Sequence, residues 1–472
     1  LHNRYAQRYQ ELARRFNRGQ ISRRDFLRSA ALLGLTLGAG EFLSACRPSP
    51  ATGQPFDPIE TIYGIDYITT TPEGGGQPMG AASGTQAVPS GASEPRQIEW
   101  YCGCCGGRFR TVEDLKKHAA AEHGWRLPEI QRVDQPTYDQ FLQGVERFDE
   151  KNTVFSRTGW DEEYQALVQE YQVKAPEDDW DRVEGRALTA GAIYADATAG
   201  TLHPNYYGYF GHVRGAGGLY DWDDPVSPVQ YPVSDPAWMT ERIKEVARFY
   251  GANLVGVAAV DERWIYSNYY ERVTGEYGKN DIPYKYAVVM GIEMEWSHIT
   301  LSPGPEASAA TALIYSRMAE LSASLAKYIR SLGYAAIPCG NDSAQSIPLA
   351  IDAGLGELGR SGLLLSPEYG SRQRICKVFT DLPLVPDKPV DFGIQSFCET
   401  CHACAAACPV DAIRWDERTT EQTSISNRPG ILRWPVNVGR CYLFWQENGM
   451  DCSNCIAACP WSLHSQRDWL EL

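Results

Sequence analysis

The clearest patterning of apolar and polar positions lies between residues 236 and 340. In "AWMTERIKEVARFYGA" apolar residues recur at helical spacing, and the pattern stops at Gly251, which predicts a helix. "NLVGVAAV" and "YKYAVVMGIEM" are short apolar runs and read as buried strands. "EASAATALIYSRMAELSASLAKYIRSLG" predicts a long helix with Ile314, Met318, Leu321, Leu325 and Ile329 on one stripe. "YAAIPCG" reads as a further strand. The order helix, strand, strand, helix, strand predicts an α+β or α/β core. No run of 18 or more apolar residues occurs, so nothing is expected to span a membrane after processing.

Before this core the pattern changes. From Arg47 to about Pro95 the chain is rich in Gly, Pro, Ser and Ala, as in "TTTPEGGGQPMGAASGTQAVPSGASEP". Such a stretch buries too little apolar surface to offset chain entropy, so a flexible linker is expected over 47–97. "YCGCCGGRFRTVEDLKKHAAAEHG" follows. Two residues separate Cys102 from Cys105, twelve separate Cys105 from His118, and four separate His118 from His123. Phe109 and Leu115 take the small-core positions of a finger that folds around tetrahedral zinc, placing a zinc module at 98–125. A Cys-rich turn before an ordinary helix is the plainer alternative.

Charge limits what that finger does. The net charge of −15 disfavours a general nucleic-acid binder, so a structural or docking role is expected of it. Near the start, "SRRDFLRSAALLGLTLGAGEFLSAC" pairs Arg23 and Arg24, adds Phe26 and Leu27, and continues into a short apolar run. It reads as a twin-arginine export signal over 1–46. That pathway carries folded proteins, which suits a chain loaded with cofactors before export. "LSAC" also resembles a lipobox ending at Cys46.

The 14 cysteines carry the strongest chemical signal. "SFCETCHACAAACPVDAI" spaces Cys398, Cys401, Cys404 and Cys408 as C-x2-C-x2-C-x3-C-P. In this bacterial ferredoxin run three thiolates hold one 4Fe-4S cluster and the fourth reaches a second. The second set is Cys441 with Cys452, Cys455 and Cys459 from "DCSNCIAACPW". By the ferredoxin crossover, cluster one takes Cys398, Cys401, Cys404 and Cys459. Cluster two takes Cys408, Cys441, Cys452 and Cys455. Structural zinc or disulfides are the plainer alternatives. His402 reads as a spacer. "GLGELGRSG" has the glycine spacing of a dinucleotide loop but lies in a loop-like setting, so a nicotinamide site is not expected.

The combination of the twin-arginine signal, "RFYGANLVGVAAVDERWIYS", "AIPCGNDSAQSIPLAIDAGLGELGRSGLLLSPEYG", "RICKVFTDLPLVPDKPVDFG" and two cluster motifs resembles the corrinoid-dependent respiratory reductive dehalogenases over most of 236–460. The resemblance implies an α+β, nitroreductase-like core binding base-off cobalamin over 236–392, preceded by an N-terminal part of the catalytic region over 126–235. A ferredoxin-like domain with two 4Fe-4S clusters would occupy 393–472. It implies removal of halide from a small organohalide, with electrons arriving through the clusters. A small membrane-anchor protein and a respiratory electron donor would be partners at the outer face of the cytoplasmic membrane, with no nucleic acid involved.

The resemblance also implies site residues. The proton donor would be Tyr315, with Asn341 holding the phenol and Arg374 stabilising the phenolate left after transfer. Arg372 would share a face with Arg374 if that segment is a strand. Tyr266, Tyr269 and Tyr270 are further phenols, and Asp342 and Glu357 further acids. Corrinoid contacts are expected from Asp342, Ser343 and Ser346, and from Gly354, Leu355, Gly356, Gly359, Arg360 and Gly362, because small residues let backbone approach a large planar ring. A lower axial ligand from His298 or Cys376 is not expected. Two other readings stay open: an exported iron–sulfur electron-transfer subunit, and a cobalamin reductase similar to epoxyqueuosine reductase. Metal analysis addresses the finger directly. Cys105→Ala is expected to release zinc and unfold the module while iron and cobalt content stay unchanged. Cobalt lost together with zinc would contradict a separate module.

Overall fold

The computed structural model describes residues 130–172, 180–193, 225–270 and 275–462, together with the backbone of three short strands before them. The chain divides into two compact units, Leu37–Leu127 and Leu1–Thr36 with Pro128–Leu472. In the smaller unit, strand Ile98–Tyr101 pairs antiparallel with Gly64–Tyr67 on one side and Arg108–Phe109 on the other. Gly64–Tyr67 lies within the stretch expected to be linker. Its "GIDY" sequence alternates apolar residues inside Gly- and Pro-rich surroundings, which hid it from a composition-based reading. The zinc quartet Cys102, Cys105, His118 and His123 and the export signal lie outside the described residues.

The larger unit is built on a four-stranded sheet. Its strands are β1 (Leu254–Ala259), β2 (Tyr286–Glu293), β3 (Ala336–Cys339) and β4 (Gln373–Thr380), in the order β1-β2-β4-β3. Every pairing is antiparallel, which makes the core α+β. Helix α1 (Pro236–Phe249) and helix α2 (Pro305–Ser331) match the two predicted helices. Asp235 starts α1 by accepting from the Ala237 and Trp238 amides, and Pro236 fills the first turn, where no amide is needed.

The strands alternate between two cores. Val288, Met290, Cys376 and Val378 face α1 and α2, where they meet Met239, Ile243 and the predicted stripe of α2. All five stripe residues are buried. Ala287, Val289 and Phe379 face the other way, against Leu349 and Ile351 of helix α3 (Ser346–Asp352). A sheet covered on both faces explains why β1 and β2 read as continuous apolar runs. Gly256 is required where α3 approaches: a Cβ there would stand 2.2 Å from the Ala353 carbonyl oxygen.

β4 was legible only as a conditional strand, yet it is one of the two inner strands and pairs along its whole length with β2, from Gln373↔Glu293 to Thr380↔Tyr286. The N-terminal part of this unit closes the α3 face. Tyr138 donates to Asp352 at 2.6 Å and accepts from the Trp264 indole at 3.0 Å. Burial pushes the Asp352 carboxyl up to about 7 from 3.8. The folded state therefore holds a proton that the unfolded chain has lost. This contribution is complete below pH 4 and is lost as pH rises to about 7, with a slope of up to ~1.4 kcal/mol per pH unit. Asp352→Asn keeps an acceptor for Tyr138 and is expected to flatten that fall in denaturant titrations run from pH 4 to 7.

Candidate cluster and active-site region

The cysteines come together as two groups. Cys398, Cys401, Cys404 and Cys459 line one cavity of about 290 Å³, counting the open solvent at its mouth. Three come from the Ile394–Thr400 and Ala403–Ala407 helices and the turn between them, and Cys459 arrives from the far end of the domain. The remaining four lie near one another: Cys408 and Cys452 neighbour Cys441, and Cys455 neighbours all three as well as Cys404. The crossover expected from spacing would assign these two groups to two clusters. Among the described residues, no group of three or more converges tightly enough for a single metal ion. A four-iron cluster holds its cysteines farther apart, so the donor set and the cavity fit clusters. Burial raises the thiols of Cys398, Cys404, Cys455 and Cys459, and pushes Cys441 and Cys452 up to about 12, so binding iron would have to draw off their protons. His402 stacks on Trp415 at 5.5 Å and lies within 3.1 Å of its carbonyl, as a spacer would.

Tyr315, Asn341 and Arg374 come from α2, the loop after β3, and β4. The Asn341 amide donates to the Tyr315 hydroxyl at 3.3 Å. The Arg374 guanidinium lies over the Tyr315 ring, 5.3 Å from its centroid. Arg374 Nε is buried with no hydrogen-bond partner among the described residues. Tyr315 is half-buried against the core and Asn341 is exposed. In the Asn341 bond the phenol oxygen accepts, so that contact leaves the phenol proton uncommitted.

On the opposite face of β4, Lys377 is fully buried. Its ammonium donates to the carbonyls of Gly340 at 2.5 Å, Asp342 at 2.9 Å and Ala344 at 3.2 Å, and to Ser346 Oγ at 3.1 Å. These acceptors bracket Asn341. Burial lowers the Lys377 pKa, and the nearby Asp342 carboxylate works against that. Glu150 is buried in the same network and its pKa is raised, mainly by burial and then by Asp342. Sequence reasoning gave Lys377 no role. The available signal was a lysine in the middle of an otherwise apolar strand.

Most of the side chains at the expected corrinoid contacts are turned inward. Asp342 accepts from the Gly340 amide and from Ser343, and both residues are buried. Ser343 also adopts the left-handed backbone conformation, with φ 69°. Ser346 serves Lys377, and Leu355 packs in the α3 core. The close approach at Gly356 is to its own hairpin: a Cβ would stand 2.1 Å from the Leu365 carbonyl oxygen. Gly354 and Gly359 likewise pack on Arg132 and Leu365. Gly362 is half-exposed. Arg360 bonds carbonyls of the first cluster loop, such as Cys398 O at 2.9 Å, and belongs with the cluster domain.

The reserve candidates have other partners. Arg372 pairs with Glu293 and donates to Ser462 O and Met294 O, so it fastens the cluster domain to the sheet. Glu357 accepts from the Phe392 and Ile394 amides. Tyr269 donates to Glu276, and Tyr266 is buried beside Phe148. His298 is exposed, and Cys376 is buried in the α1/α2 core with its pKa raised to about 12 by burial.

Fold and site define a class: an iron–sulfur redox protein in which a two-cluster domain is fastened to an α+β core. The 4Fe-4S dicluster domain family matches residues 397–463. The tetrachloroethene reductive dehalogenase of Sulfurospirillum multivorans is 36% identical over 320 residues, covering 61% of this chain and 64% of that one. That of Dehalobacter restrictus is 36% identical over 52% of this chain and 53% of that one. A solved reductive dehalogenase described for B12-dependent dehalogenation is similar at TM-score 0.51 and 23% identity, over 73% of this chain and 46% of that one. Over those stretches the chain is similar to reductive dehalogenases. It spans 64% and 53% of the length of the two curated relatives.

Crossed ligation makes a specific prediction. Cys459→Ala and Cys398→Ala are expected to abolish the same cluster signal in electron paramagnetic resonance of the reduced protein, and Cys441→Ala the other. Loss of different signals in Cys459→Ala and Cys398→Ala would contradict the crossover.

Proposed function

We propose that the chain is a corrinoid and iron–sulfur reductive dehalogenase. The observation that carries this reading is the convergence of Tyr315, Asn341 and Arg374 from three separate elements. The 36% identity to tetrachloroethene reductive dehalogenases supports it. The core is read as nitroreductase-like, with base-off cobalamin beside Tyr315. Because the side chains of 342–346 and 354–360 are committed internally, the backbone of these segments and Gly362 would hold the corrinoid. The unpartnered Arg374 Nε fits a site completed by a bound group.

When bound, the corrinoid would supply two electrons for replacing a carbon–halogen bond by a carbon–hydrogen bond, with release of halide. Tyr315 gives the proton. Asn341 holds the phenol oxygen through its amide donor and thereby aims the hydroxyl. Arg374 keeps a permanent positive charge beside the ring, which stabilises the phenolate and attracts the departing halide. Cys398, Cys401, Cys404 and Cys459 hold one cluster, and Cys408, Cys441, Cys452 and Cys455 the other, to deliver electrons.

The Arg23-Arg24 segment supports export by the twin-arginine pathway, with the enzyme at the outer face of the cytoplasmic membrane. Among the described residues no helix is long and apolar enough to cross a membrane. A separate small membrane anchor and a respiratory donor are the partners proposed. Cys102, Cys105, His118 and His123 are proposed to hold zinc. Tyr315→Phe keeps the ring and removes the proton. It is expected to lower turnover by about 10²-fold or more with cobalt and iron content unchanged. Arg374→Lys is expected to keep partial activity. Near-normal turnover by a fully loaded Tyr315→Phe enzyme would exclude Tyr315 as the acid.

A further inference from the structure

Arg360 is only 2% exposed, and it forms no ion pair among the described residues. Its guanidinium is instead ringed by carbonyls. Nε donates to Cys398 O at 2.9 Å and Cys401 O at 3.1 Å. Nη1 donates to Arg414 O at 3.0 Å, Trp415 O at 3.3 Å and Asp416 O at 3.1 Å. Nη2 donates to Glu399 O at 3.2 Å. Its flat face lies on Trp434, 4.4 Å from the ring centroid. The same residue lines the cavity of Cys398, Cys401, Cys404 and Cys459.

A buried cation without a carboxylate partner is expensive unless some other negative charge faces it. The carbonyls satisfy the donors but carry no net charge. Arg360 sits among the ligand cysteines: it bonds the Cys398 and Cys401 carbonyls and lines the same cavity as Cys404 and Cys459. A loaded 4Fe-4S site is anionic, because four thiolates outweigh the positive iron–sulfide core, and each added electron makes it more so. Arginine keeps its charge in such a setting. Hydrogen bonds and net charge around a cluster are what set its potential.

We infer that Arg360 is the fixed countercharge of cluster one: a positioning residue that holds the ligand loop by its backbone and raises that cluster's reduction potential. This rests on the ligand set assigned to cluster one and not on the dehalogenase reading. It is therefore tested without any organohalide.

The test is a redox titration of the full chain, loaded with iron, followed by electron paramagnetic resonance. In Arg360→Gln the charge is lost and the added electron is less stabilised. The midpoint of one cluster is expected to move to more negative potential by at least a tenfold change in the reduction equilibrium, about 59 mV for one electron. The other cluster should stay within threefold of its original equilibrium. Arg360→Lys keeps charge without the planar fork and is expected to hold the wild-type midpoint within threefold. Trp434→Phe removes the indole but not the cation and should do the same. An unmoved midpoint in Arg360→Gln with full iron content would overturn the inference, as would equal shifts of both clusters. If Arg360→Gln fails to retain cluster one, the lysine variant decides: a midpoint within threefold of wild type supports the countercharge, and a tenfold or larger fall overturns it.

Discussion

The buried ammonium of Lys377 ties the sheet to the loop on which the proposed chemistry depends. β4 presents Arg374 to the α2 face and, three residues later, Lys377 to the other. The ammonium gathers three carbonyls and a hydroxyl from residues 340–346, fixing both sides of Asn341. Leaving those acceptors unsatisfied would cost about 1–3 kcal/mol each. Asn341 is exposed, yet its backbone is anchored from below, which lets a loop residue meet a tyrosine on a rigid helix. One inner strand thus places the cation beside Tyr315 and secures the amide that holds it.

The cluster domain is fastened to this core by polar contacts and by Ile456, which is buried in the α1/α2 core. Arg372 donates to Ser462 O, and Ser462 meets the Ser371 amide and hydroxyl. Near the start of α2, Ser302 accepts from the Ser453 amide at 2.6 Å, and Asn448 donates to Pro303 O. On the opposite side Arg360 bonds the first cluster loop, and Phe392 and Phe397 pack edge-on against Trp461. Directional bonds at several points set orientation better than an apolar patch, which tolerates sliding. Electron transfer toward a fixed acceptor needs that orientation.

The elements read from apolar spacing were those buried on a plain face. The stripe of α2 and the runs in β1 and β2 were legible because tertiary packing agrees with local pattern there. β4 was harder, since Arg374 and Lys377 interrupt its apolar positions for reasons that lie in other segments. The two cysteine groups were legible because cluster ligation imposes spacing on the sequence itself. The internal bonds of Arg360 were illegible for the opposite reason. Its partners are backbone carbonyls from 398–401 and 414–416, and any residue type can supply a carbonyl. The inward turn of Asp342 had a related cause: its carboxylate accepts from the Gly340 main-chain amide, a donor that leaves no trace in residue types.

The central claim joins two cofactor types in one redox enzyme, so the most direct measurement combines composition with product. Metal analysis of the purified, loaded chain should give about eight irons and one cobalt. Under a low-potential reductant, the same preparation should release halide from an organohalide in equal amount to the hydrogen-substituted product. Iron without cobalt, and no halide release after supply of a corrinoid, would contradict the account and leave an electron carrier in its place.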